Sequence, residues 1–409
     1  MTIARNIPGF GRISAALAMC ALACLLIAGC SEDPGESESL VGSLPVDSFD
    51  TRDTTIIADS SWSARRYIPM NSSVNLLGRT SEGYQAMSMV LFYNLPHRDT
   101  IIVESATLTL TAVTWYGDSS GSLSFTAHRI ERGWNPETVT WDSVQTGFYE
   151  SGVERGSYSG GAAPDTHAIA VPLDTAMVRQ WLRRLSTDAV KNYGVALVPR
   201  EGSTIVRGLG AMTIDSSSYW PKLRVVAVNV AGTVRDTASY SGGIDSFVGN
   251  QDNLVQDPSL IYLQAGVAYR SQVHFPMAGI PRGAIINAAQ MDLSFNDAGS
   301  SLGKFVRERV VSAQLLVGGS EVTSSAESEL SAAYGRPKTD APEVYSFNVR
   351  HHAQAWVRGP NYGALVRTVN SSETRSIDRY LFHNERSSDP ALRPRLHVTY
   401  SIPKQGGTK

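Results

Sequence analysis

Residues Val103–Val113 read VESATLTLTAV, and Ile286–Asn296, 183 positions later, read INAAQMDLSFN. Both alternate with a period of two. Ala106, Leu108 and Leu110 fall on one face, with Thr107, Thr109 and Thr111 on the other. In the second stretch Ala289, Met291, Leu293 and Phe295 share a face opposite Gln290, Asp292 and Ser294. Such alternation is that of a strand with one buried and one wet face, as in antiparallel sheets. A β-strand written twice at a fixed spacing points to a duplicated all-β unit.

The flanks repeat as well. Upstream, Met89–Ile102 (MVLFYNLPHRDTII) parallels Gln272–Ile286 (QVHFPMAGIPRGAII), and Phe92 corresponds to Phe275. Downstream, NYGVALVP from Asn192 matches NYGALVRT from Asn361, and WPKLRVVAV from Trp220 matches RPRLHVTY from Arg393. A short helical pattern with a tryptophan precedes each Asn-Tyr-Gly: Val178, Trp181, Leu182 and Leu185 in one copy, Ala353, Trp356 and Val357 in the other. Trp181 and Trp356 therefore read as core. The copies span about 51–228 and 232–401, and their junction, NVAGTVRD, is short enough that the domains touch. Many short strands and one helix per copy predict two tandem β-sandwich domains of jelly-roll type; a barrel is the alternative.

Arg5 and Arg12 are the only charges before Cys30, and residues 13–29 are apolar or small, the pattern of a secretory signal peptide. Ile27-Ala28-Gly29-Cys30 resembles a bacterial lipobox, which implies cleavage after Gly29 and a lipid anchor on Cys30. Several acyl chains hold firmly where one does not. Ser31 at the next position implies sorting to the outer membrane in a diderm bacterium. All three cysteines, Cys20, Cys24 and Cys30, lie in this region, so the mature chain would have no free thiol, disulfide or cysteine metal site. Residues 30–50 are acidic and poor in apolar side chains, which reads as a tether; 402–409 read as a disordered tail. The formal charge is −2, or −4 without Arg5 and Arg12, and no basic block stands out, which argues against nucleic-acid binding.

In order, NLLGR, the SATLTL strand, RIERGWNPETVTWDS, VPLDTAMVRQW, NYGVAL and PKLRV resemble the DNRLRE-domain family of secreted bacterial proteins, grouped with carbohydrate-binding modules. The resemblance covers nearly all of the first copy, and its best-defined piece is Gly133–Trp141, GWNPETVTW. The second copy lacks the Trp-Thr-Trp segment, and the family's namesake hexapeptide occurs in neither. The resemblance implies a β-sandwich and the binding of glycans, notably acidic polysaccharides.

The candidate ligand-binding residues are Trp115, Tyr116, Arg129, Arg132 and Trp134. An indole face stacks on sugar rings, and an arginine fork pairs with a uronate carboxylate. Each has a plainer reading: loop anchor for Trp115 and Tyr116, salt bridge or solvation for Arg129 and Arg132, and loop-locking for Trp134 with Trp141. Glu131 and Glu137 are the carboxylates nearest the aromatic motif, but hydrolysis of a glycosidic bond needs a pair at about 5–10 Å, and no catalytic residue is assigned. His351-His352 projects in two directions on a helix, and Gly249–Asp257 lacks the spacing of a calcium loop, so neither a metal nor a cofactor is assigned. The expected function is a non-catalytic, lipid-anchored envelope protein whose first domain binds polysaccharide. The alternatives are a scaffold with protein partners and, less favoured, a hydrolase or lyase.

Overall fold

The computed structural model describes residues 48–404 except 188, 253, 255, 304–308, 319–325 and 328–331. The proposed signal peptide, Cys30 and nearly all of the tether lie outside the described residues, as does most of the tail. Among the described residues no helix is long and apolar enough to cross a membrane.

The first repeat runs β1 (Phe49–Ile57), β2 (Ser60–Arg65), β3 (Val74–Arg79), β4 (Tyr84–Leu91), β5 (Ile101–Gly117), β6 (Leu123–Arg129), β7 (Gly156–Gly160), β8 (His167–Pro172), α1 (Thr175–Leu182), β9 (Val195–Pro199), β10 (Ile205–Gly210) and β11 (Lys222–Asn229). The second runs β12 (Arg235–Ser241), β13 (Ile244–Gln251), β14 (Leu260–Gln264), β15 (Tyr269–His274), β16 (Ile285–Ser294), β17 (Val311–Gly318), β18 (Ala326–Glu327), β19 (Ala333–Pro337), β20 (Val344–Asn348), α2 (Arg350–Arg358), β21 (Ala364–Thr368), α3 (Asn370–Glu373), β22 (Arg379–His383) and β23 (Arg395–Pro403). The fold is all-β, with two curled antiparallel sheets forming two sandwich-like halves. The compact unit is Arg52–Ser401. The terminal segments form a separate unit, in which the Lys404 N–H donates to the Ser48 carbonyl at 2.8 Å.

The alternating stretches are β5 and β16. Ala106, Leu108 and Leu110 are buried, while Thr107, Thr109 and Thr111 are half-exposed. In β16 the polar face is drier than its alternation suggests. Asp292 and Ser294 are buried, and Lys338 pairs with Asp292 at 2.6 Å. Trp181 and Trp356 lie in the two interiors, 1% and 3% exposed. His352 points inward beside Trp356 and His351 outward; burial lowers the His352 pKa to about 4.

The duplicated Asn-Tyr-Gly has a mechanical reason. In each copy the asparagine amide donates to the carbonyl of the corresponding phenylalanine, Asn192 to Phe92 at 2.6 Å and Asn361 to Phe275 at 2.8 Å. The same side chain accepts the N–H of the glycine two residues on, at 2.9 Å both times. Gly194 and Gly363 have φ of +93° and +81°, and a Cβ there would meet a strand carbonyl at 2.2 and 2.5 Å. Only glycine fits both the torsion and the approach.

The sheets do not follow the 51–228 and 232–401 division. The hairpin β12–β13, which opens the second repeat, belongs to the first sandwich: β12 pairs with β11, and β13 pairs with β4 from Ile244 opposite Leu91 to Gln251 opposite Tyr84. The equivalent hairpin of the first repeat crosses the other way, with β1 beside β23 and β2 paired with β15 from Ser60 opposite His274 to Arg65 opposite Tyr269. The repeats have exchanged their first hairpins. The junction explains why. Asn229 accepts the N–H groups of Thr233 and Val234 at 2.9 and 3.1 Å, and Gly232 takes φ +72°. A tight turn closes at little entropic cost, so β12 pairs with its sequence neighbour β11 and occupies the edge that β1 would otherwise take.

Side chains fix the direction of exchange. Ser63, opposite Ser271, and Phe247, opposite Ser88, are equivalent by register. Phe247 is fully buried in a cluster with Met70, Leu76, Tyr84, Ala86, Tyr116, Val206, Val267 and Ala268, drawn from both repeats. Ser63 instead shares a 2.7 Å hydrogen bond with Ser271 Oγ and accepts the Tyr262 N–H at 3.1 Å. Replacing each hairpin by the other would put a hydroxyl in the apolar pocket and a phenyl ring among polar groups.

Asp245, on the exchanged β13, accepts the Met212 N–H at 2.9 Å and is 6% exposed; burial pushes its pKa up to about 6. The raised pKa means that the folded state holds this proton more tightly than the unfolded chain. The associated stability is complete below the ordinary carboxylate value, about pH 4, and is lost as pH rises through about 6. The loss is roughly 1.4 kcal/mol for each pH unit that separates those two values. Asp245→Asn is therefore expected to raise stability by about 1–3 kcal/mol at pH 7 and by much less at pH 4, read as paired urea unfolding curves.

Candidate functional site

Two cavities flank Tyr116. The larger, about 1200 Å³, is floored by one face of the second sandwich. Register builds this floor. Arg367 on β21 lies opposite Ser312 on β17, and Ser312 lies opposite Tyr334 on β19. Gln314 lies two positions along β17, and Arg336 two along β19, so both share that face. Val74, Thr114 and Tyr116 of the first repeat and residues 369–378 of the second supply the walls.

Arg367 is held from behind. Glu373 is 2% exposed and receives the Arg270 guanidinium in two parallel bonds, both 2.9 Å, and Arg367 Nη1 at 3.1 Å. One carboxylate thus positions both guanidinium groups. Arg336 and Arg375 also line the cleft, and Asp378 is the only carboxylate among its described lining residues. Burial raises the Asp378 pKa, and its carboxylate accepts the Gly303 N–H at 2.6 Å. The Gln314 side chain is nearly buried, with its Oε1 unpartnered. Tyr334, by contrast, is 59% exposed. The cleft thus offers guanidinium donors, an open amide acceptor and an aromatic ring, the groups that bind a hydroxylated anion.

The smaller cavity, about 440 Å³, lies on the other side of Tyr116. Its lining includes Tyr84, Trp115, Gln251, Gln264, Ser301 and Arg379. Trp115 is half-buried with its indole N–H donating to Asp165 at 2.6 Å, and the Tyr116 hydroxyl donates to the Arg375 carbonyl at 2.8 Å. Burial raises the Tyr116 pKa well above the usual range, so its hydroxyl stays protonated.

The five sequence candidates do not form one site. Trp115 and Tyr116 border the cavities. Arg129 is engaged inside the first sandwich with Glu150, which Arg155 also binds at 3.0 Å. Trp134 donates to the Tyr193 carbonyl at 2.9 Å and packs, with Trp141, against a cluster of Met87, Met89, Ile130, Val139, Val144 and Phe148. Arg132 is exposed, bonded to the Ser143 carbonyl at 2.5 Å and set over the Phe148 ring. Glu131 and Glu137 are exposed on the same loop. Among the described residues no cluster of three or more His, Cys, Asp or Glu could hold a metal ion. In Gly249–Asp257 the first three residues belong to β13, and Asn253 and Val255 lie outside the described residues.

Tyr334, Arg336, Gln314 and Arg367 carried no signal in the sequence beyond being polar positions of short strands. No protein-family model matches this chain, and no curated protein matches it.

Proposed function

We propose that this chain is a non-catalytic envelope protein, lipid-anchored at Cys30, that binds an acidic polysaccharide. The binding site moves, however, from the first-repeat loop suggested by the sequence to the cleft between Tyr116 and the β17–β19–β21 face. The observation that carries the reading is the set of groups lining that cleft: the guanidinium groups of Arg336, Arg367 and Arg375, the unpartnered Oε1 of Gln314 and the exposed ring of Tyr334. Its size suits several sugar units rather than one. The anchor and export rest on the lipobox, and the ligand class agrees with the family resemblance.

The test is native electrophoresis of the purified chain through gels containing polygalacturonate, alginate or no polymer. At least one acidic polymer is expected to retard the protein. Tyr334→Ala and Arg336→Ala, both on the accessible side of the cleft, are each expected to weaken that retardation about tenfold, the scale of about 1.4 kcal/mol. Unchanged migration in both polymers, or full retention of binding by both variants, would overturn the reading in favour of protein partners.

A further inference from the structure

The smaller cavity differs from the cleft in its charge. Glu82 and Arg379 both line it, but they neutralise each other at 2.8 Å. Asp118 is exposed, and its carboxylate is taken by the Ser120 N–H and hydroxyl at 2.9 and 2.8 Å. No unopposed cation among the described lining residues faces an anion there.

Its interior has one strong demand. Gln264 is 3% exposed, and its Oε1 is buried without a hydrogen-bond partner. The amide is not free to turn over. Gln264 Nε2 donates to Gln251 Oε1 at 3.0 Å, and Gln251 Nε2 donates to the carbonyls of Glu82 at 2.6 Å and Asp252 at 3.2 Å. Two carbonyls fix the Gln251 amide, Gln251 fixes Gln264, and the chain ends in a buried, unpartnered acceptor on a residue that lines the cavity. Gln251 belongs to the exchanged β13, so this relay exists only in the exchanged fold. Tyr84, Trp115 and Tyr116 and the hydroxyl residues Thr80, Ser81 and Ser301 line the same cavity. The volume lies within the range of small-molecule sites, roughly 300–1,000 Å³.

We propose that this cavity is a second carbohydrate site and takes a neutral sugar. A sugar hydroxyl donates to Gln264 Oε1, and the ring lies against the aromatic wall. A carboxylate-bearing sugar is disfavoured, because Arg379 is already satisfied and Asp118 repels it. The site does not depend on the acidic-polymer reading: of its lining only Tyr116 is shared with the cleft. The sugar comes either free or as a unit of a polymer.

Calorimetric titration of the purified whole chain with glucose, galactose, mannose and glucuronate tests this, with dextran and galactomannan as the polymer arms. At least one neutral hexose or neutral polymer is expected to bind and to change tryptophan emission, because Trp115 borders the cavity, while glucuronate gives no binding that depends on Gln264. Gln264→Leu is expected to weaken neutral-sugar binding at least tenfold. Trp115→Phe, which keeps an aromatic ring in place, is expected to weaken it and remove the emission change. Arg336→Ala is expected to leave it unchanged. Binding of a polymer but not of its hexose, lost in Gln264→Leu, supports the site and identifies the source as chain-borne. No binding of any neutral probe, or binding indifferent to both Gln264→Leu and Trp115→Phe, overturns the proposal and leaves water as the occupant. That result would not touch the acidic-polymer test, whose variants lie in the other cavity.

Discussion

Residues 66–251 expressed alone are expected to fold and to unfold in one cooperative transition, whereas residues 51–228, the first repeat as its sequence is written, are expected to be less stable by at least about 3 kcal/mol. The fragments share β3 to β11. They differ in which hairpin is present to cover the edges of β11 and β4. Fragment 66–251 carries β12 and β13, and with them Phe247, whose cluster partners Met70, Leu76, Tyr84, Ala86, Tyr116 and Val206 lie in the same fragment. Fragment 51–228 carries β1 and β2, whose Ser63 would occupy the Phe247 position. A phenylalanine truncated in a well-packed core costs about 3–5 kcal/mol, and a hydroxyl left without its Ser271 partner adds to that. The check is urea unfolding of both fragments followed by circular dichroism. Equal stability would mean that the hairpins are interchangeable and that the exchange is not encoded by these side chains.

Glu373→Ala is expected to destabilise the second sandwich by roughly 3–5 kcal/mol and to abolish acidic-polymer binding in the fraction that stays folded. Glu373 is a carboxylate that Arg270 and Arg367 share, with side chains 2%, 5% and 9% exposed respectively. Removing it takes from two buried guanidinium groups the carboxylate they share, and the penalty of breaking a buried pair exceeds the pair's modest net worth. The backbone tie of the α3 turn does not involve the side chain and is kept. The Gly266 N–H donates to the Glu373 carbonyl at 2.8 Å, which ties α3 to the β14–β15 turn. Glu373→Gln keeps one acceptor and the side-chain volume, so a smaller loss is expected. Thermal unfolding gives the stability, and gel retardation of the folded variant gives the binding. If Glu373→Ala and wild type had the same midpoint, Arg367 would not be positioned by this carboxylate.

Part of this account was readable in the sequence, for definite reasons. The duplicated strand, the Asn-Tyr-Gly turn and the core tryptophans each express a local rule: side-chain alternation, a glycine-only torsion, helical spacing. The hairpin exchange does not. TRDT in β1 and VRDT at the start of β12 (residues 234–237) are near-copies, so periodicity gives both hairpins the same place in either sandwich. The choice rests on a five-residue turn and on Ser63 against Phe247, a contrast that has meaning only once the register is known. The cleft was hidden for a related reason. Its floor is assembled from single polar positions on β17, β19 and β21, and Tyr116 reaches it from a strand more than 190 residues earlier. The eye-catching Trp134 and Trp141 instead pack beneath their own loop.

Hydrogen–deuterium exchange of the whole chain with and without the acidic polymer that retards it tests the central claim most directly. The cleft account predicts added protection in residues 311–316, 333–337 and 364–378. Protection confined to residues 131–148, the Trp134–Trp141 loop, with none on the β17–β19–β21 face, would contradict it.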